Sequence, residues 1–395
     1  MSPPIIPQLK IIAVTGTNGK TSITHFIARA LKSAGLKTAV IGTLGNGLID
    51  HLQPATLTTP GNPEFKKLLA DFTSQKIDIV AVEASSHGLD QGRLSGAEIF
   101  LGIFTNLTRD HLDYHKTLKN YEDAKLKLFT EFKPKYSIIN TDDKTGLKFA
   151  EKLKSSHLYC TSTKLKKNPL NLPMIYATNI TPHSNGTTAE IFTPWGSGIL
   201  ETSLFGQFNI SNLLAVITTL GIMEYKLPDI LNYISQLKTV SGRMQVFNSH
   251  QDKPTVIIDY AHTPDALENT LKTLREHCAG KLWCVFGCGG DRDKGKRPLM
   301  GSVAEKLADY VILTDDNPRT EQPLEIIAEI KSGIKNIKNI ITEHDRRRAI
   351  SHAIQSAKSN DIVLIAGKGH ETYQEIGHTR FPFSDELEVK LLLLD

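Results

Sequence analysis

Short apolar runs rich in β-branched residues alternate with helical patterns along almost the whole chain. In the first half such runs cover 11–15, 38–41, 77–83, 99–105 and 136–140 and predict strands. Apolar positions at helical spacing predict a helix near 21–34, stopped by Gly35, and another near 121–132. Runs such as IDIVAVEA and IFLGIFT lack polar alternation. Strands covered on both faces by crossover helices read this way, because neither face meets water, so a mostly parallel sheet is expected.

The pattern changes at 169–204, which is rich in Thr, Asn, Gly and Pro with short strand-like pieces. An antiparallel excursion is expected there, followed by a helical pair near 209–223 and 228–237. After Ser241-Gly242-Arg243 a second series begins, with strands expected at 255–259, 282–287, 310–314, 337–341 and 361–366. The expected fold is therefore α/β: a P-loop central domain with a mostly parallel sheet over 1–240, and a C-terminal Rossmann-like domain over 241–395. The chain of 395 residues is long enough for each part to bury its own core.

Composition narrows the class only slightly. Hydrophobic residues at 40% and charged residues at 22% describe an ordinary globular protein. A net charge of +4 without a basic, aromatic-interleaved tract argues against nucleic acid and suits anionic small substrates. Cys160, Cys278, Cys284 and Cys288 are too few and too oddly spaced for a disulfide framework. Cys284 and Cys288 are expected as buried, reduced thiols. The opening MSPPIIPQLK has no charged leader before an apolar stretch, and no apolar run approaches the ~18 residues of a membrane span, so a cytoplasmic location without membrane insertion is expected.

Chemistry enters at the end of the first strand. Gly16, Thr17, Asn18, Gly19, Lys20 and Thr21 lead straight into a helix. Glycines let backbone N–H groups curl around a phosphate, and the helix start adds its positive dipole end. Lys20 can reach the terminal phosphates and the Thr21 hydroxyl can ligate Mg²⁺. Val14 stands where the standard loop has its first glycine, and a plain strand-to-helix turn is the bland alternative. Two further polar clusters, Glu83–Gly88 and Asn106–His115, also follow strands. In a parallel sheet they gather at the same edge, where Glu83 and His111 can complete Mg²⁺ coordination with Thr21.

By this point the motifs match a known family. TGTNGKT, TLTTPG, EASSHGLDQGR, FTNLTRDHLDYH, YEDAKLKLF, FGQFNISNLLA, SGRMQVF, DYAHTPDAL, FGCGGDRDKGKRP, TDDNPRTE and IAGKGHETYQ occur in order from residue 15 to 374. The chain resembles the Mur ligases, and most closely those that add meso-diaminopimelate to a muramyl dipeptide nucleotide. The resemblance implies an ATP- and Mg²⁺-dependent amide ligase of peptidoglycan precursor synthesis, a monomer that takes small-molecule substrates. It implies that Lys20 acts on the phosphates, and that Thr58, Thr59, Ser85, Gln91 and Arg93 hold the acceptor. Lys125 matches a lysine that becomes N-carbamylated, turning a cation into a Mg²⁺ ligand; otherwise it reads as a solvated helix lysine. Asn209, Asn212, Arg243, Asp259 and His262 resemble nucleotide contacts. A turn capping the next helix is a second reading for residues 259–262.

Asp316, Asn317, Pro318 and Arg319 look like the signature of members that take diaminopimelate, with the arginine on the distal carboxylate. A planar guanidinium suits that task because it holds a carboxylate through two parallel hydrogen bonds. Arg292, Gly367 and Glu371 match the remaining amino-acid contacts, with Glu371 on the free ammonium. An acyl phosphate is the implied intermediate. Family members usually begin with a domain on the order of 100 residues that holds the uridine end. Here the first strand of the ATP domain starts at Ile11, so that domain is expected to be absent. The alternative readings are a related ligase with a different or nucleotide-free acceptor, such as a folylpolyglutamate-type enzyme, and a non-catalytic nucleotide-binding paralogue.

Overall fold

The computed structural model describes residues 9–153, 157–165, 170–183, 186–247 and 253–394. Most of the N-terminal stretch expected not to be a leader, 1–8, lies outside the described residues, as does Pro169 at the start of the expected excursion. The chain forms two compact units, Met1–Lys238 and Thr239–Asp395.

The first unit is built on a sheet of eleven strands. They are β1 (Lys10–Thr15), β2 (Thr38–Gly42), β3 (Gly45–Leu48), β4 (His51–Gln53), β5 (Ile79–Glu83), β6 (Ile99–Phe104), β7 (Tyr136–Asn140), β8 (Leu158–Ser162), β9 (Met174–His183), β10 (Gly186–Thr193) and β11 (Gly196–Thr202). Their order is β11-β10-β9-β8-β7-β6-β1-β5-β2-β3-β4. From β9 to β2 every pairing is parallel. The excursion after β8 is an antiparallel meander on the edge of this same sheet. At the other edge the short β3–β4 hairpin was not anticipated, because its glycines and polar residues carry no apolar alternation.

The central strands are apolar on both faces and wholly buried, as crossover helices require. The core joins Ala13, Val80, Val82 and Phe104 of the sheet to Phe65, Phe72, Leu128 and Phe149 from helices. The helix after β1, Lys20–Ser33, ends where Gly35 adopts φ 92° and donates to Lys32 O, so the glycine is the expected stop. β5 starts two residues later than the apolar run suggests. Ile77 donates back to Phe72 O and Lys76 takes φ 55°, so this stretch closes the helix Asn62–Ser74 before the strand begins.

The second unit has a sheet of β12 (Gln245–Phe247), β13 (Thr255–Asp259), β14 (Leu282–Phe286), β15 (Tyr310–Leu313), β16 (Ile340–Thr342) and β17 (Ile362–Ala366), in the order β12-β13-β17-β14-β15-β16. All pairings but β12–β13 are parallel. β16 is shorter than the expected 337–341: Ile337 is 70% exposed and its carbonyl accepts from Ile340 in a turn, so an apolar residue has been taken into a loop. A separate hairpin, β18 (Tyr373–Ile376) and β19 (Thr379–Pro382), follows β17. Cys284 and Cys288 are buried thiols; burial pushes Cys288 up to about 12. Among the described residues no helix is long and apolar enough to cross a membrane.

Candidate active site

In the first unit β1 lies between β5 and β6, parallel to both. The loops leaving their C-terminal ends therefore meet, which brings residues 16–19, 84–85 and 105–111 to one edge. Gly19 heads the helix Lys20–Ser33 at φ 89°, and a Cβ there would stand 2.7 Å from Asn212 Oδ1. Asn212, on the buried helix Gln207–Ile222, is thus packed onto the loop and is held by its amide on Asn209 Oδ1 at 3.3 Å. Asn209 itself donates to Phe205 O. The loop is also fixed from the β6 side. Asn18 N donates to Asn106 Oδ1, Thr105 Oγ1 donates to Asn18 O, and Thr108 N donates to Thr17 Oγ1. Lys20 Nζ folds over the loop onto Gly16 O at 2.9 Å and Thr17 O at 2.8 Å.

Thr21 Oγ1 donates to Glu83 Oε2 at 2.8 Å. Glu83 is 1% exposed, and its carboxylate accepts its other hydrogen bonds from Thr43 N and Thr43 Oγ1. Among the described residues this buried carboxylate has only neutral donors, which suits a site for a hard cation. The acceptor candidates form one chain of contacts beside it. Thr58 shares a hydrogen bond with Thr43, Thr59 donates to Glu83 O and meets Ser85 Oγ at 2.9 Å, and Arg93 donates to Thr59 O and to Gln91.

His111 and Lys125 lie on the other side of the loop. His111 takes a left-handed φ of 54° and sits 5.1 Å from the His87 ring and 5.9 Å from the Tyr121 ring. Its side chain keeps 41% of its surface, yet protein surrounds it broadly enough that desolvation lowers its pKa to about 4. Asp110 opposes that shift, and Lys20, His87 and Lys125 add to it. Lys125 comes from the helix Leu118–Thr130, whose start is capped by Thr117. It is 1% exposed rather than solvated, donates to Gly16 O at 2.7 Å and lies 4.4 Å over the Tyr121 ring. Burial, with Lys20 adding, holds its pKa well below the ordinary value. Glu83 is joined to Thr21, and His111 lies within reach of the charge of Lys125. Among the described residues no set of three His, Cys, Asp or Glu side chains is arranged around one metal position.

In the second unit Asp316, Asn317, Pro318 and Arg319 follow β15 and face the segment after β17. Asn317 Nδ2 donates to Glu371 Oε2 at 2.8 Å, and Lys368 Nζ reaches both Asn317 Oδ1 and Glu371 Oε2. Gly367 has φ 113°, and a Cβ there would stand 2.5 Å from Asp316 Oδ2, so only glycine fits. Arg319 Nη1 donates to Gly290 O at 2.8 Å, and its Nε to Glu375 Oε2 at 3.1 Å. Arg292 and Arg319 both border Gly289. Arg243 stacks 4.4 Å over Tyr260, and His262 Nδ1 lies 2.8 Å from Tyr260 O. Asp259 accepts from Met244 N, Ala261 N and Thr270. It does not cap the following helix; Thr263 does, accepting from Ala266 N. Thr43, Tyr121, Lys368 and Glu375 escaped the sequence reading. Their local pattern does not set them apart from the polar residues around them; their partners in the fold do.

A model of the Mur ligase middle domain matches residues 14–220, and a model of the Mur ligase glutamate ligase domain matches 242–369. A UDP-N-acetylmuramoyl-L-alanyl-D-glutamate–2,6-diaminopimelate ligase from Coxiella burnetii (strain RSA 493 / Nine Mile phase I) is 47% identical over 386 residues, covering 98% of this chain and 79% of the relative. One of the same name from Vibrio vulnificus (strain YJ016) is 44% identical over 387 residues, covering 98% and 78%. A solved structure of a ligase of that name superposes with a TM-score of 0.70 at 41% identity, covering 98% of this chain and 79% of that one.

Proposed function

The chain belongs to the Mur ligase family, and from that premise we propose that it is an ATP-dependent ligase that joins meso-diaminopimelate to the D-glutamate of a UDP-N-acetylmuramoyl dipeptide. The observation that carries this reading is identity of 44–47% along 98% of the chain to ligases of that name. The site residues support it. In the proposed reaction the glutamate carboxylate attacks the terminal phosphorus of ATP, and ADP leaves. The amine of diaminopimelate then attacks the acyl phosphate carbon, loses a proton, and phosphate departs.

Most of the protein's contribution is placement and charge. Lys20, whose ammonium rests on the carbonyls of Gly16 and Thr17, exchanges them for the phosphates. The N–H groups at the start of the helix Lys20–Ser33 add partial positive charge, with Gly19 leaving the loop open. Thr58, Thr59, Ser85, Gln91 and Arg93 hold the acceptor, and Asn209, Asn212, Arg243, Asp259 and His262 serve the nucleotide. Mg²⁺, when bound, neutralises phosphate charge. Glu83 and Thr21 suit one ion. His111 suits a second once Lys125 is carbamylated, because a buried ammonium would repel that ion whereas a carbamate would hold it. Arg319 and Asn317 take the distal carboxylate of diaminopimelate, with Asp316, Pro318, Gly367 and Arg292 completing the pocket and Glu371 on the ammonium. The chain acts in the cytoplasm as a monomer.

The test is release of phosphate by the purified chain supplied with ATP, Mg²⁺ and the muramyl dipeptide nucleotide. Release should depend on meso-diaminopimelate, and L-lysine should substitute poorly. Equal rates with either amino acid, or none with both, would overturn the reading. Elution as a single-chain species in size exclusion with light scattering checks the monomer.

A further inference from the structure

The guanidinium that selects the amino acid is itself mounted on a hairpin. Arg319 has a left-handed φ of 50°, a conformation that a long side chain adopts only when its surroundings hold it there. The surroundings are the β18–β19 hairpin. Arg319 N donates to Glu375 O at 3.0 Å, Gly377 N donates to Arg319 O at 2.8 Å, and Arg319 bridges Ile376 as a short parallel pair. The side chain is tied to the same residue, Nε to Glu375 Oε2 at 3.1 Å, with both side chains largely buried at 17% and 21% exposure. Glu375 N also donates to Asn317 Oδ1 at 2.9 Å, so one residue fixes both members of the carboxylate grip.

The Nε hydrogen goes to Glu375 and one Nη1 hydrogen to Gly290 O, which leaves one donor on Nη1 and two on Nη2. Among the described residues Nη2 has no protein acceptor, so the Nη1–Nη2 edge keeps the two donors that a carboxylate needs. We propose that Glu375 is a positioning residue for amino-acid selection: it orients the Arg319 guanidinium so that the distal carboxylate of the substrate is met by a fork already in place. This rests on the proposed role of Arg319. The physical gain is that an arginine held in one rotamer loses little freedom when the ligand arrives. Glu375 acts through Arg319 and touches no reacting atom.

The experiment compares wild type, Glu375→Ala and Glu375→Gln with two amino acids at saturating ATP and acceptor. One is meso-diaminopimelate; the other is L-2-aminopimelate, which keeps the distal carboxylate and lacks the distal ammonium. Glu375→Ala should raise KM for both by about tenfold, with kcat and the KM for ATP within about twofold, because a charge-assisted orienting bond is lost. Glu375→Gln keeps an acceptor for Nε and should restore KM to within about threefold of wild type. An alanine variant with unchanged or lower KM overturns the proposal, since Glu375 would then be idle or a competitor of the substrate. A rise confined to meso-diaminopimelate also overturns it, pointing to direct contact with the ammonium. Failure of wild type to use meso-diaminopimelate is a different result and refutes the function, not the positioning.

Discussion

The two units treat buried cations in opposite ways. In the second unit Arg297 is fully buried against Glu321 and Glu329, Arg346 is fully buried in a two-pronged pair with Asp385, and Lys368 is fully buried on Glu371. Burial pulls the pKa of both arginines down, yet their carboxylate partners leave the net shift upward. In the first unit Lys125 is just as deeply buried, but it has a carbonyl and an aromatic ring where the others have a carboxylate. Its pKa is driven down. Isolated buried charge is costly, so structural cations are paired. The contrast is the observation behind the proposed carbamate: Lys125 is the buried cation that has no carboxylate beside it.

Lys20→Ala should show the largest effect, a loss of roughly a thousandfold or more in phosphate release, because a charge aimed at the transferring phosphate is removed. Near-normal turnover would mean that the loop serves the fold only.

Lys125→Ala goes to the heart of the contrast. Activity should fall by about two orders of magnitude, in line with loss of a metal ligand, and short carboxylic acids should restore part of it. Protein equilibrated with ¹³C-labelled CO₂ and Mg²⁺ should show a carbamate carbon resonance that Lys125→Ala lacks. An unmodified amine in the Mg²⁺- and nucleotide-bound enzyme would remove the idea.

Asp385→Ala tests the other side, where pairing is already complete. It leaves Arg346 buried without its partner and should lower unfolding free energy by about 3–5 kcal/mol, read from denaturant midpoints. A cost below 1 kcal/mol, roughly that of an exposed pair, would erase the distinction between the units.

Arg319→Ala should lose about 2–5 kcal/mol in kcat/KM for meso-diaminopimelate, with ATP affinity unchanged, since a carboxylate would be left in the pocket without its fork. An unaltered KM for the amino acid would show that selection lies elsewhere.

The smallest effect concerns Glu321. The hydrogen bond from Arg297 pulls its carboxyl from 4.5 down to about 2. A depressed folded pKa gives stability that is present above the unfolded value and is lost as pH falls toward the folded one. Wild type should therefore lose stability relative to Glu321→Gln between pH 4.5 and 2. The gap should be only about 1 kcal/mol, because Glu329, which shares Arg297, is 38% exposed and water screens the cluster. Parallel stability curves for the two proteins across that window would contradict it.

Much of this molecule was written locally. The β1 run, the glycine loop and the helix after it are contiguous, so periodicity and turn chemistry were enough to place Lys20 and Thr21. The antiparallel meander and the second α/β series were legible for the same reason. Lys125 was different: its helix was visible, but the resemblance alone separated it from Lys127, because which lysine of a helix turns inward depends on the sheet it packs against. The short β3–β4 hairpin, the loop at Ile337 and the tie between Glu375 and Arg319 were settled by tertiary structure. The last depends on partners 56 residues apart in sequence; the hairpin and the turn at Ile337 are local, but no alternation of apolar and polar residues announces them. Local propensity can say that a residue is polar and near a turn. Which charge it meets, and whether water is excluded from the meeting, is decided only when the strands have been brought side by side.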